Sequence, residues 1–107
     1  MRNNIILSTD FDLNLSHTRV IRRNYVFLID NLDSPAGLLD HLYASKVLDA
    51  DEHDQVSSET ESMKKNECLV SLISRKSAED FERFLKALRD SSQGYIADRL
   101  TQGNKVS

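Results

Sequence analysis

Phe81, Phe84, Leu85 and Leu88 stand at i, i+3, i+4 and i+7. Only an α-helix, turning about 100° per residue, gathers that spacing onto one side, and that side must then be buried. The run also has a helix start. Ser77 is placed to cap it, and Glu79 and Asp80 fall in the first turn, where the helix dipole favours negative charge. Strands are poorly served by this chain. With 3 Gly and 1 Pro in 107 residues it lacks the many tight turns of a sandwich or barrel. Apolar residues make up 39% and charged residues 29%, enough for a single core and too polar for a membrane protein.

The same period recurs upstream. From about His17 to Leu32, the residues Ile21, Tyr25, Leu28 and Leu32 share one side, while Arg19, Arg22 and Arg23 cluster on the other. Five apolar residues in a row, Tyr25 to Ile29, cannot fit one stripe, so this helix is expected to bend or to be buried on more than one side. Ser34 can cap a second helix and Pro35 suits its first position. Leu38, Leu39, Leu42 and Tyr43 form the apolar face of that helix. Asp49, with Glu52 three residues on, reads as a carboxylate relative of the capping box and starts a third helix reaching about Ser57.

A fourth helix is expected from about Ser62 to Ser74, with Leu69, Leu72 and Ile73 inward and Lys64 and Lys65 outward. After the helix begun at Ser77, Gly94 interrupts, and Tyr95, Ile96 and Leu100 suggest a short sixth. The expected fold is all-α, a six-helix antiparallel bundle over residues 16–101. Residues 1–15 are expected to be an extended or mobile tail, because the alternation from Phe11 to Ser16 has no partner strand. Residues 102–107 form a second tail.

Charge is distributed unevenly. The net charge of −3 conceals segments of +2 over residues 16–32, −7 over 33–61 and +3 over 62–107. A fold that brings the first of these beside the start of the third has one basic and one acidic face, a polarity that signals a partner. The acidic balance argues against nucleic acid, though a helical regulator binding nucleic acid through its arginines is a minor alternative. A single cysteine excludes an internal disulfide and favours a reducing, cytoplasmic setting. The longest N-terminal apolar run, Ile5 to Leu7, is too short for a signal peptide or a membrane span.

Chemical motifs fail on inspection. Cys68 lies beside the buried stripe of its helix and is read as a packing residue, not as a nucleophile. His17, His41 and His53 lack paired metal spacing. The stretch from Asp49 resembles a calcium loop, but Asp54 stands where glycine is needed and Thr60 where glutamate is needed. No catalytic residue, metal or cofactor is assigned.

Taken in order, several segments resemble the caspase recruitment domain of the death-fold superfamily. Ile21 to Asn24 through Leu28 and Leu32, then Gly37 to Leu42, resemble its first two helices. Lys46 to Glu52 is similar to its turn into helix three, and Leu69 to Lys76 to the end of helix four. Ser77 to Arg89 resembles helix five, and Gln93-Gly94-Tyr95 the start of helix six. The likeness covers about residues 16 to 101 and is nearest to initiator-caspase prodomains and their adaptors. Between Lys76 and Ser77 the glycine usual in the family is missing, and residues 1–15 match nothing in it.

The resemblance implies a six-helix death fold, often with a bent first helix, and a non-catalytic module that binds like domains in apoptotic or innate-immune signalling. The expected partner is another caspase recruitment domain, in an initiator caspase or an adaptor, with self-assembly in reach and neither nucleic acid nor membrane involved. An alternative is the prodomain of a caspase zymogen whose protease domain lies outside this chain. The expected basic face comprises Arg19, Arg22, Arg23, Lys64 and Lys65; the acidic face comprises Asp40, Asp49, Asp51, Glu52 and Asp54. Arg75 and Lys76, in a loop that joins a second contact in the family, are secondary candidates.

Overall fold

The computed structural model describes residues 17–34 and 37–106, with side chains through Thr101. Among the described residues every regular element is a helix and there is no strand. Seven helical segments follow in order: α1 (residues 17–23), α2 (Tyr25–Asn31), α3 (Leu38–Ala44), α4 (Ala50–Ser57), α5 (Ser62–Ser74), α6 (Ala78–Asp90) and α7 (Gly94–Val106). The readings of residues 1–15 and of Pro35 fall outside the described residues.

The expected first helix is divided at Asn24, which leaves helical geometry at φ −106° and ψ 19°. Its side-chain amide donates to the Val20 carbonyl at 2.9 Å, competing with the backbone ladder at the bend. The bend distributes the long apolar run. Leu28 and Ile29 enter the core, Phe27 packs against it beneath the Arg99 guanidinium at 4.4 Å, and Val26 is left 70% exposed.

Two expectations about α3 need correction. Gly37, not Ser34, occupies its N-cap, at a φ of +96° that glycine adopts without a Cβ penalty. Ser34 is buried and donates to the Asn66 side chain at 3.1 Å. Tyr43, assigned to the apolar face, is instead 51% exposed. Its helix ends there: Lys46 takes a left-handed φ of 68°, and the Val47 and Lys46 amides turn back to the Leu42 and Tyr43 carbonyls. That closure carries Val47 and Leu48 into the core.

Elsewhere the local signals describe the chain well. Asp49 accepts from the Glu52 amide at 2.8 Å while Glu52 accepts from the Asp49 amide at 3.0 Å, completing the reciprocal cap of α4. Ser77 accepts from the Asp80 amide at the start of α6. Phe81, Phe84, Leu85 and Leu88 are all buried. At its end α6 repeats the closure of α3, with Ser92 left-handed and the Gln93 amide bonded to the Leu88 carbonyl at 2.7 Å. The last helix, α7, is longer than the short segment its spacing suggested.

The packing sets α2 on α5, α3 on α6, α4 on α5 and α6 on α7. The α1–α2 pair runs antiparallel to α5. Thr18 donates to the Ser74 carbonyl at one end, and Asn66 donates to the Ile29 and Leu32 carbonyls at the other. A second polar clamp joins distant turns: Gln93 accepts from the Asp33 amide at 2.8 Å and donates to the Asp33 carbonyl at 3.0 Å.

Candidate interaction surfaces

The arginines lie on the outer side of α1. Arg19, Arg22 and Arg23 are all exposed, while Val20 and Ile21 between them are buried. No carboxylate among the described residues pairs with Arg22 or Arg23. On α6 the situation is different: Arg83 pairs with Asp80 at 2.7 Å, Lys86 with Asp90 at 3.1 Å, and Arg89 reaches Asp98 on α7 at 2.9 Å. The charges of Arg22 and Arg23 are therefore open to a partner.

The α5 lysines stand in the first turn of that helix, at the end where Asn66 meets α2, whereas α1 meets its other end at Ser74. Lys64 is exposed. Lys65 is half-buried and, with Asp40, His53 and Ser57, lines a cavity of about 180 Å³ on the acidic side of the molecule. Arg22 instead faces the later turns of α5, where it shares a groove with Val70, Ser71 and Ser74.

The acidic candidates separate into three roles. Asp40, Asp51 and Asp54 are exposed on α3 and α4. Between them His53 stands 3.3 Å from Asp40 and 4.0 Å from Asp54, and its ring lies 5.5 Å from that of Tyr43. Asp49 is engaged as the cap of α4. Glu52 faces inward to Lys76, whose ammonium donates to both carboxylate oxygens at 3.0 Å.

That last pair braces the loop between α5 and α6. From the other side, the His17 Nε2–H donates to the Lys76 carbonyl at 2.7 Å, and the His17 ring packs 5.6 Å from Phe81. Both members of the pair are mostly shielded from water, so the contact is worth more than a surface ion pair. Glu52→Gln is expected to lower unfolding stability by about 1 kcal/mol, and in a double-mutant cycle with Lys76→Met the coupling between the two positions should account for most of that loss. Arg75 stays exposed at the end of α5.

The other reactive groups are packing elements. Burial pushes the Cys68 thiol up from its ordinary value; the Glu59 carboxylate adds to this and Arg75 opposes it. A thiol so raised stays protonated at neutral pH and is a poor nucleophile. Among the described residues no group of three or more His, Cys, Asp or Glu side chains could hold a metal ion. No helix among them is long and apolar enough to cross a membrane.

Sequence reasoning passed over Asn66, Gln93 and the exposure of Tyr43. Asn66 had a signal: it lies at i−3 and i−4 from Leu69 and Val70, on the buried stripe of α5.

A bent first helix is what the resemblance implied for a death-fold bundle, and the structure divides that helix at Asn24. The family model described as the caspase recruitment domain matches residues 18–103. The chain belongs to that family, whose members are interaction modules that bind like domains. No curated protein and no solved structure matches the chain.

Proposed function

We propose that the chain joins caspase recruitment domains head to tail and thereby regulates caspase activation in apoptotic or innate-immune signalling in the cytoplasm. The observation that carries this reading is the pair of exposed, oppositely charged surfaces on different helices. Arg22 and Arg23, with Arg19, form the basic side on α1; Asp40, Asp51 and Asp54 form the acidic side on α3 and α4. Because the two surfaces differ, each molecule offers one to either neighbour, and the contact can extend into a helical assembly. Arginine suits such a contact, since its planar fork can hold a carboxylate at two points. The partner is a second copy or the matching domain of an initiator caspase or adaptor.

Charge reversal tests this directly. Arg22→Glu is expected to weaken self-association, or binding to a second caspase recruitment domain supplied in trans, without unfolding the bundle. Asp51→Arg should do the same from the other side, with a modest stability penalty for positive charge at a helix N-terminus. Raising salt should shrink the wild-type assembly. Sedimentation velocity reads all three. Reversals that leave assembly and partner binding unchanged, or saturable sequence-selective binding of duplex DNA, would overturn the reading.

A further inference from the structure

The proposed contact also has a shape. Tyr43 projects from α3 with half its surface exposed, although its helical position suited the core. Its ring lies beside that of His53, 5.5 Å between centroids and tilted by 59°. Asp40 lies three residues earlier on the same face of the helix, within one turn. The result is an exposed aromatic knob in an acidic setting. Tyrosine in such a position is among the side chains that most often dominate an interface.

A matching recess lies on the basic side. A groove of about 280 Å³ opens between α1–α2 and α5. The buried Ile21 and Val70 line it, together with the more exposed Tyr25 and Ser71 and the Arg22 side chain. Small-molecule sites run from about 300 to 1,000 Å³, so this groove is of a size for one large side chain.

We propose that Tyr43 of one copy of this chain inserts into the Ile21–Val70 groove of the next, with Asp40 beside it meeting Arg22. The inference rests on the head-to-tail reading above and adds the apolar anchor of that contact. Charge complementarity selects the occupant, because the acidic residue flanking the knob meets the arginine lining the groove. Burying the ring supplies an attraction that salt does not screen, while the flanking charges set orientation and the rate of encounter.

The test uses the full chain and reads self-association by sedimentation velocity at low and high salt. Tyr43→Ala should weaken assembly about tenfold or more, and the loss should persist at high salt. Tyr43→Phe should remain close to wild type. Ser71→Trp, at an exposed position on α5, should fill the groove and weaken assembly as Tyr43→Ala does. Mixing the two variants should restore a single native contact and yield dimers.

If Tyr43→Ala lowers thermal stability, Ser71→Trp alone reads the contact. Unimpaired assembly by Ser71→Trp, or a Tyr43→Phe loss as large as that of alanine, would overturn the fit. If these variants assemble normally while Arg22→Glu does not, the anchor is wrong and the charged reading stands. If Arg22→Glu also assembles normally, both fail. A wild-type chain that remains monomeric would overturn the second copy as occupant.

Discussion

Phe84→Ala is expected to lower the free energy of unfolding by about 3–5 kcal/mol, a large share of what holds a domain of this size together. Phe84 is only 1% exposed, and its ring lies 6.2 Å from that of Phe81, which in turn packs on His17 of α1. Its helix packs against α3, α5 and α7, so no single neighbour can move in to fill the vacated space. The cost therefore combines lost transfer free energy with a cavity that relaxes only in part. For a domain of about this length the melting temperature should fall by roughly 20 °C. A denaturant midpoint that hardly moves would place Phe84 outside the core.

Asn66→Leu is expected to cost about 3 kcal/mol despite replacing a polar side chain by an apolar one of similar size in a buried site. Asn66 is 3% exposed and donates to the Ile29 and Leu32 carbonyls, both at 2.9 Å, while accepting from the Ser34 hydroxyl. Those carbonyls stand at the end of α2, where the helix has no further amides to offer them. The Asp33 amide, next in line for Ile29, is bonded to Gln93 instead. Leucine would leave two acceptors and a hydroxyl buried without partners, and the penalty for each exceeds the gain from extra apolar contact. Chemical denaturation measures this change. A neutral or stabilising outcome would mean that these bonds do not hold α2 on α5.

The helices themselves were legible wherever apolar spacing and a capping side chain agreed. The Asp49 and Ser77 caps follow from the chain directly, because each depends on residues within one turn, while Ser62–Ser74 rests on its apolar spacing, with no side-chain bond at its N-cap Glu61. The turns that close α3 and α6 were not legible. Lys46 and Ser92 take the left-handed position that glycine usually marks, so neither helix end carried its usual signal. Ser34 looked like a cap because local sequence cannot reveal Asn66, a partner 32 residues away.

The charged surfaces show the same division. Helical period placed Arg22 and Arg23 opposite the stripe of α1 and so outside, where the structure has them. Composition alone could not show that Glu52 would face Lys76 or that Lys65 would share a cavity with Asp40. Both depend on how α3, α4 and α5 meet. Tyr43 was misplaced for a related reason: an apolar residue at the last turn of a short helix is counted with the stripe even where the core has ended.

The head-to-tail contact is tested most directly by mixing Arg22→Glu with Asp51→Arg and measuring mass by light scattering. Each variant retains one native surface: the first its acidic side, the second its basic side. Together they can form a single all-native interface and cannot extend it. Each variant alone is expected to stay largely monomeric, and the equimolar mixture to form a capped one-to-one pair whose affinity falls as salt is raised. A mixture that stays monomeric, or single variants that assemble like the wild type, would contradict it.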